Sequence, residues 1–425
     1  MKSLNSKKWC RVPIVELCEA HVDCVNRTAP VVDSPTPYKM IRTTNVRDGF
    51  IDTENVRCVT EETYKKWTRR LIPKRGDVIL TREAPLGKVG KIRSDDQIFL
   101  GQRLYHFRTN PQKLDADFLL YALLYDDLQG QIRGYGSGAT VEHMRLEDVP
   151  CLEIYLPELL TQRKIAAILS AYDELIENNL RRIKILEEMA QNLYREWFVK
   201  FRFPGHEQAR FVDSPLGMIP EGWEAKAVTT SIAVNPKVRV PKNGEKPFVS
   251  MGLLANNSML ICEVETRTGN SGSKFQNADT LFARITPCLE NGKTGYVQFL
   301  SNDKAVAFGS TEFIVLRSLS LSPEFVYLLA RSSEFRDNAI KSMSGATGRQ
   351  RVSEKCFDNF VIAHPDQDTL SKFTIHIAPI FQQSFILAKK NISLRRTRDM
   401  LLPRLISGEV DVSELDIAIP EEAVA

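Results

Sequence analysis

Residues 158–200 read ELLTQRKIAAILSAYDELIENNLRRIKILEEMAQNLYREWFVK and contain neither proline nor glycine. Apolar side chains recur at alternating steps of three and four residues, which is the heptad spacing of a helix that packs along a narrow stripe. One series in the stripe is Ile165, Tyr172, Asn179, Leu186 and Leu193, and the interleaved series is Leu169, Ile176, Ile183, Ala190 and Trp197. At roughly 1.5 Å per residue this helix is about 60 Å long, so it cannot bury its own stripe and needs a partner helix.

A second segment of the same kind covers residues 368–406. At positions equivalent to the first series it carries only apolar side chains, namely Phe373, Ile380, Leu387, Leu394 and Leu401. The equivalents of the interleaved series are only partly apolar: Ile377, Ser384, Asn391, Arg398 and Leu405. We therefore expect the two helices to pair with each other in antiparallel orientation, with Asn179 and Asn391 fixing the register. The alternative is that both are surface helices whose periodicity is accidental.

The sequence around these helices is duplicated. The peptide Ser-Gly-Ala-Thr occurs at residues 137–140 and returns at 344–347, about half the chain later. Further residues return in the same order, since Asp77, Arg82, Pro85 and Lys88 have the counterparts Asp279, Arg284, Pro287 and Lys293. A diverged tandem duplication predicts two structural units of the same kind.

Each repeat contains short strand-like runs separated by turn residues, with one short helix before the Ser-Gly-Ala-Thr peptide. The predicted fold class is α+β, with two homologous α/β modules separated by two long helices that pair as an antiparallel coiled coil. The predicted boundaries are 1–157 for the first module, 158–202 for the first long helix, 203–222 for a linker rich in proline and glycine, 223–366 for the second module, 367–408 for the second long helix and 409–425 for an acidic tail.

Composition argues against several classes of protein. The formal net charge of the 425 residues is +4, so the total charge alone does not indicate a polyanion-binding protein. None of the 8 cysteines forms a Cys-x-x-Cys pair, and neither a disulfide framework nor a metal site is predicted. No apolar run approaches the ~18 residues of a membrane span. We expect a soluble, reduced, cytoplasmic protein without a membrane partner.

Motifs for catalysis are incomplete. No glycine-rich loop is followed by the Lys-Ser/Thr pair that binds nucleotide phosphates. The peptide Asn235-Pro236-Lys237 lacks the second proline and the aromatic residue of an amino-methyltransferase site. Acidic residues around Asp77 are only partly repeated in the second half, which argues against a duplicated nuclease centre. We therefore predict that the chain has no enzymatic activity of its own.

Basic and hydrogen-bonding side chains gather in loops of both repeats, in particular around the Ser-Gly-Ala-Thr peptides and in segments 39–47 and 267–276. Small residues let backbone N–H groups approach a ligand, and Arg, Asn, Gln and Thr suit phosphates and base edges. The candidate DNA-binding residues are Arg42, Thr43, Asn45, Arg47, Arg82, Lys88, Ser137, Thr140 and Arg145 in the first repeat, and Asn270, Lys274, Arg284, Lys293, Ser344, Thr347, Arg349, Gln350 and Arg351 in the second. The alternative is an ordinary turn between helix and strand, or a solvated loop.

The long helices and their flanks resemble the specificity subunit of a type I restriction–modification system. The resemblance rests on Leu156-Pro157 with the run Gln162-Arg163-Lys164-Ile165, on Trp197-Phe198, on residues 378–410 with LPRLISG at 402–408, and on LGMIPEGW at 216–223. It covers essentially the whole chain. The second helix departs from the first, because it carries Ser384, Asn391 and Arg398 where the first is more apolar.

That resemblance implies a non-catalytic subunit that recognises a DNA sequence. Two target recognition domains would each read one half of a bipartite site in double-stranded DNA. The paired helices would set the distance between them and dock two methyltransferase subunits, and restriction and translocase subunits would complete the complex. The resemblance implies no cofactor on this chain, with S-adenosylmethionine, ATP and magnesium bound by the partner subunits.

Two rival interpretations stay open on the sequence. The chain is a self-sufficient restriction enzyme or methyltransferase with a recognition module, or it is a duplicated coiled-coil scaffold that binds only proteins. The first rival requires a catalytic motif, and the second predicts that the chain does not bind DNA in a sequence-specific way.

Overall fold

The computed structural model describes residues 9–136, 142–302, 304–346 and 348–419, and these form two compact units. The first unit takes in the described residues up to Leu175 and those from Leu394 onwards. The second unit is Ile176–Ser393. The first unit is therefore discontinuous in sequence, and each long helix contributes residues to both units.

The first unit is built on a mixed sheet. Its strands are β1 (Cys10–Pro13), β2 (Cys18–Asp23), β3 (Tyr38–Ile41), β4 (Val46–Arg47), β5 (Gly49–Ile51), β6 (Arg57–Cys58), β7 (Val78–Arg82), β8 (Leu86–Lys91), β9 (Gln97–Leu100), β10 (Leu104–Thr109) and β11 (Glu153–Leu156). Its helices are α1 (Glu61–Trp67), α2 (Ala116–Leu124), α3 (Asp126–Gly134) and the first half of α4 (Leu159–Tyr194). The strand orders are β2-β10-β7-β8-β5-β4, β6-β3-β9 and β1-β11.

The core of the first unit lies between the sheet, α2 and the two long helices. Helix α2 begins after Asp115, whose carboxylate accepts a hydrogen bond from the N–H of Phe118 at 2.9 Å and so caps the first turn. Phe118 is fully buried in the same hydrophobic cluster as Ile165 of α4 and Leu405 near the chain's end. Leu405 is buried in this cluster, so residues near the chain's end contribute to the stability of the first unit. Removing a buried phenylalanine such as Phe118 costs about 3–5 kcal/mol.

The second unit contains two four-stranded sheets. Its strands are β12 (Phe211–Ser214), β13 (Gly217–Pro220), β14 (Glu224–Ala227), β15 (Ile232–Val234), β16 (Lys246–Val249), β17 (Glu265–Arg267), β18 (Ser273–Gln276), β19 (Thr280–Ala283), β20 (Thr294–Tyr296), β21 (Val306–Gly309), β22 (Phe313–Ser318) and β23 (Val361–His364). Its helices are the rest of α4, α5 (Pro323–Arg331), α6 (Ser333–Lys341) and most of α7 (Gln367–Ile406). The strand orders are β15-β22-β19-β20, β17-β16-β21-β18, β14-β23 and β12-β13.

Aromatic side chains dominate the core of the second unit where α4 ends. Helix α4 continues into a π-helical turn at Arg195–Val199, which contains Trp197 and Phe198. The ring of Phe198 lies 4.7 Å from that of Phe325 on α5 and 4.7 Å from that of Phe373 on α7. These rings are buried, and edge-to-face contacts between them add about 0.5–1.5 kcal/mol each to the gain from burial.

Polar groups also join the long helices within each unit. In the second unit, the Asn179 amide donates to the side-chain oxygen of Asn391 at 2.8 Å. In the first unit, Asp173 of α4 forms an ion pair with Arg398 of α7 and accepts a hydrogen bond from the hydroxyl of Tyr121 at 2.7 Å.

The side chains of the predicted stripe lie on the covered side of both helices. Those that are buried are Ile165, Leu169, Ile176, Asn179, Ile183, Trp197, Phe373 and Leu387, and those that are half-buried are Tyr172, Leu186, Leu193, Ile380, Leu394 and Leu401.

The structure differs from the sequence-based expectation at three places. Where one short helix is predicted before each Ser-Gly-Ala-Thr peptide, there are two, because the chain becomes extended at Tyr125 and at Ser332. The hydroxyl of Ser332 then caps α6 by accepting from the N–H of Phe335. The linker predicted over 203–222 contains the hairpin of β12 and β13.

Within the ranges that the structure describes, no helix combines the length and apolar character needed to cross a bilayer.

Candidate nucleic-acid interface

In the first unit, two segments that carry candidate DNA-binding residues are bonded to each other. The hydroxyl of Thr43 donates to the carbonyl of Ala84 at 2.7 Å, which joins the turn after β3 to the turn between β7 and β8. The ammonium group of Lys88 forms an ion pair with Asp48 at 2.8 Å across the same segments. Residues 42–50 and 82–88 therefore form one surface.

Arg82 attaches a third segment to this surface. Its guanidinium donates to the carbonyl of Met144 at 2.8 Å, and its own carbonyl accepts from the N–H of Met144 at 2.9 Å. The next residue, Arg145, is exposed and lies 3.3 Å from Glu147. Arg82 thus positions the segment that follows the first Ser-Gly-Ala-Thr peptide. Ser137 and Thr140 of that peptide lie outside the described residues.

Two candidates in the turn after β3 differ in exposure and therefore in role. Asn45 is 3% exposed, and its side chain accepts from the N–H of Arg42 at 3.0 Å and donates to the carbonyl of Asn55 at 2.9 Å. The buried amide shapes the turn, since both of its polar ends are used inside the protein. Arg47 is exposed, with its Nε 3.4 Å from the carbonyl of Thr44, and is available to a ligand.

The second unit attaches the equivalent segment with the equivalent arginine. The carbonyl of Arg284 accepts from the N–H of Val352 at 2.8 Å, and its guanidinium donates to the carbonyl of Val352 at 3.3 Å and to Glu354 at 3.1 Å. Thr286 and Gln350 form two further hydrogen bonds of 3.1 Å each. Arg82 and Arg284 thus use part of their hydrogen-bonding capacity on the protein, and DNA contact by them stays a prediction.

Exposed candidates lie on the loop that Arg284 attaches. Ser344 and Arg351 exchange two backbone hydrogen bonds of 2.9 and 3.1 Å, which close the loop that contains Thr347, a residue outside the described ones. Arg349 is exposed on this loop. The guanidinium of Arg351 forms two parallel contacts with Glu312, at 2.8 and 3.0 Å. The hydrogen bond from Arg351 lowers the pKa of Glu312, so the pair is ionised at neutral pH.

An open groove of about 490 Å³ lies beside this loop. Hydroxyl and amide side chains line it, together with Arg267, Phe248 and Phe308. The groove adjoins the ion pair of Arg351, because the N–H of Glu312 donates to the hydroxyl of the lining residue Ser310 at 3.2 Å.

Three further candidates lie at the groove, and one of them, Asn270, lines it. Lys293 donates to the carbonyl of the lining residue Met251 at 2.8 Å, and Asn270 donates to the carbonyl of Val240 at 3.1 Å. Lys274 lies directly opposite the lining residue Phe308 in the pairing of β18 with β21. In the second unit the structure therefore brings together candidates that are far apart in sequence.

Sequence reasoning leaves out several residues of this surface. Arg267 begins the polar segment 267–276 but is not among the candidates, and neither are Ser310 and Thr311. Their proximity depends on the pairing of β17 with β16 and of β16 with β21. A local sequence pattern does not encode such pairings between distant segments, so only the strong hydrogen-bonding content of 267–276 pointed to this region.

Two buried aspartates hold the sheets behind these surfaces. Asp77 accepts hydrogen bonds from His106 at 2.6 Å and from Arg108 at 2.7 Å. Burial by itself would raise the pKa of Asp77, but these hydrogen bonds outweigh it and lower the pKa. Asp279 accepts two hydrogen bonds of 2.7 Å from Arg317, and here burial outweighs the ion pair and raises the pKa. Both carboxylates are engaged in joining neighbouring strands.

The exposed side chains of both surfaces are of the kinds that bind nucleic acid. Exposed arginines, lysines and hydroxyl groups on converging loops are the groups that contact phosphates and base edges of duplex DNA. Among the residues that the structure describes, no group of three or more His, Cys, Asp or Glu side chains lies close enough together to hold a metal ion.

Comparisons with known protein families agree on one description. The family model for the type I restriction modification DNA specificity domain matches residues 7–188. The type I restriction enzyme MjaIX specificity subunit of Methanocaldococcus jannaschii is 27% identical to this chain, over 84% of the chain and 83% of the relative. The HindI specificity subunit of Haemophilus influenzae is 21% identical, over 79% of the chain and 87% of the relative.

A solved structure has the same overall fold. The S subunit of a type I restriction–modification system from M. genitalium aligns with 95% of this chain and 98% of its own length, with a TM-score of 0.57 and 15% sequence identity.

Proposed function

This chain belongs to the family of type I restriction–modification specificity subunits, and on that premise we propose that each of its two units reads one half of a bipartite site in double-stranded DNA. One observation carries the proposal. In both units an arginine at the end of a central strand, Arg82 or Arg284, attaches the segment after the Ser-Gly-Ala-Thr peptide to a surface of exposed basic and hydroxyl side chains. Two homologous target recognition domains, 1–157 and 223–366, would produce this repeated arrangement.

The two long helices are proposed to pair as an antiparallel coiled coil between these domains. Contacts in the second unit support the pairing, since Asn179 bonds to Asn391 while Trp197, in the π-helical turn that follows α4, packs on Phe373, which lies earlier in α7 than Asn391. Regions 158–202 and 367–408 would act as the spacer, 203–222 as the connection and 409–425 as a tail. Because half-sites read from one face lie about one DNA turn apart, a stiff spacer would fix the number of unread base pairs.

The family is non-catalytic, so the proposed partners supply the chemistry. Two methyltransferase subunits would dock on the helices, and restriction and translocase subunits would join them. S-adenosylmethionine, ATP and magnesium would be bound by those partner subunits. Exposed apolar side chains on α4 and α7, such as Leu180, Ile185 and Ile375, support docking of other proteins on the helices.

Methylome sequencing tests the proposal. A host that expresses this chain with its methyltransferase subunits should show a methylated motif in two parts, separated by a fixed number of unspecified bases. Omission of this chain should abolish methylation by the methyltransferase subunits. If this chain were instead a self-sufficient methyltransferase, it would methylate DNA when expressed without those subunits. If this chain were a scaffold that binds only proteins, its presence or absence would not change the methylation pattern. It would also show no sequence-specific, salt-dependent DNA binding.

A further inference from the structure

Arg267 is fixed in one orientation in the groove of the second unit. The pairing of β16 with β17 places Glu265 opposite Phe248, and the guanidinium carbon of Arg267 lies 3.8 Å above the centre of the Phe248 ring. The Nε of Arg267 donates to the carboxylate of Glu265 at 2.9 Å. A guanidinium that stacks on a ring and is paired along one edge has few rotamers left, so its binding geometry is formed in advance.

The carboxylate beside Arg267 determines which ligand fits. Hydrogen bonds from Ser250 and then from Arg267 lower the pKa of Glu265, so the ion pair has no net charge at neutral pH. A phosphate entering the groove would meet the negative charge of Glu265 as well as the positive charge of Arg267. The edge of a nucleobase is neutral and meets no such repulsion.

The free end of the guanidinium matches one base edge in particular. Glu265 occupies the side formed by Nε and Nη2, so the end formed by Nη1 and Nη2 is the part that a ligand in the groove meets. Guanine presents two acceptors, N7 and O6, at the spacing that arginine contacts with two parallel hydrogen bonds. The side chain of Arg267 is 50% exposed, which leaves it accessible to a duplex.

The wall of the groove beside Arg267 is a close crossing of two backbone segments. Gly272 has a φ of +115°, and a Cβ at this position would lie 1.9 Å from the carbonyl oxygen of Gly309. Only glycine allows this approach. The hydroxyls of Ser310 and Thr311 line the groove next to the crossing.

The first unit has different residues at the equivalent positions. The carbonyl of Ile41 accepts from the backbone N–H of the first residue after β9, and the carbonyl of Val249 accepts from the backbone N–H of the first residue after β21. Ile41 therefore corresponds to Val249. The preceding residue, Met40, is therefore the counterpart of Phe248. When the pairing of β3 with β6 is continued by one residue, the buried Val59 stands at the position that Arg267 has in the pairing of β16 with β17. The stacked arginine is thus not a requirement of the fold.

From this geometry we infer that Arg267 is a specificity-determining residue through which the second unit reads one guanine of its half-site. The inference rests on the proposed function, because it requires that the second unit bind duplex DNA. Glu265 and Phe248 act as positioning residues that hold the guanidinium.

The test compares Arg267→Lys with Arg267→Ala in the chain expressed with its methyltransferase subunits. Both variants should relax the methylated motif at one G·C position in one half, reducing discrimination there by about 5- to 150-fold. Lysine keeps the charge but cannot form the two parallel hydrogen bonds. The exposed Lys304, which does not line the groove, provides the control Lys304→Ala, which should leave the motif unchanged.

Two results would overturn the inference. If Arg267→Lys keeps the wild-type motif while Arg267→Ala weakens methylation equally at all sites, Arg267 contacts a phosphate. If both variants keep the wild-type motif and level of methylation, Arg267 does not contact DNA. Failure of the proposed function is distinct, since the wild-type complex would then show no bipartite motif. If the complex of a variant still methylates only sites that contain the other half of the motif, the variant is folded.

Discussion

The buried amide pair of Asn179 and Asn391 offers a sharp test of how the long helices recognise each other. Asn391 is 2% exposed, and besides accepting from Asn179 it donates to the carbonyl of Ile176 at 3.3 Å. The perturbation is Asn391→Leu, alone and together with Asn179→Leu. The single variant leaves the Asn179 amide buried without its partner, whereas the double variant makes the site apolar on both helices.

The expected magnitudes follow from the cost of an unpaired buried polar group. Asn391→Leu should lower the free energy of unfolding of the second unit by about 2–6 kcal/mol, because the amide of Asn179 and the carbonyl of Ile176 each lose a partner at about 1–3 kcal/mol per group. The double variant should recover the part of this loss that comes from the Asn179 amide, since replacing both partners by apolar groups is nearly neutral. The coupling between the two substitutions is therefore expected to be about 1–3 kcal/mol.

Tryptophan fluorescence during urea unfolding provides the assay. Trp197 and Trp223 are both buried in the core of the second unit, so their emission follows its unfolding. Asn192→Leu, a change at an exposed asparagine of α4, should shift stability by less than about 0.5 kcal/mol. If the losses of the two single variants add within about 0.5 kcal/mol in the double variant, the amides are not coupled and the reasoning is refuted.

Three further outcomes are expected. Asp77→Asn should destabilise the first unit by about 3–5 kcal/mol at pH 7. The lowered pKa of Asp77 stabilises the fold fully above the unfolded pKa of about 3.9, and this stabilisation is lost as the pH falls from there towards the folded pKa, so the difference in urea midpoint between wild type and variant should shrink as the pH falls towards 3. Burial raises the pKa of Glu187, so the wild type should lose stability as the pH rises above the ordinary pKa of a glutamate. Glu187→Gln should remove that loss, which is checked by unfolding measurements at pH 5 and 8. Gly272→Ala should destabilise the second unit more than Gly244→Ala, because both have a positive φ but only the Cβ at Gly272 meets backbone; equal urea midpoints would contradict this.

Periodicity predicted the long helices because it is a local property of the chain. The three- and four-residue steps from Ile165 to Trp197 repeat over many turns, so the covered side of α4 could be assigned without knowing what covers it. The register position of Asn179 could be assigned in the same way. The hydrogen bond from Tyr121 to Asp173 could not, since it joins α2 to α4 and depends on how α2 is oriented in the first unit.

The candidate interface was predictable only in part for a similar reason. Basic and hydroxyl residues near the repeated Ser-Gly-Ala-Thr peptides could be identified from composition. The sequence does not indicate that Asn45 is buried and Arg47 exposed, because that difference depends on the hydrogen bond from Asn45 to Asn55. It also does not indicate that Arg267 lies over Phe248, which requires the register of β16 and β17.

The discontinuity of the first unit has a consequence for biosynthesis. Leu405, Ile406 and Val412 belong to its buried core, and the ring of Trp9 lies against Gly408. Domains generally fold during translation in order from the N-terminus, but here the core of the first unit is complete only after the whole second unit has been translated. A prematurely terminated polypeptide would expose unfilled apolar surface, a feature that chaperones and proteases detect, so cells would clear partial products before they compete with full-length chains.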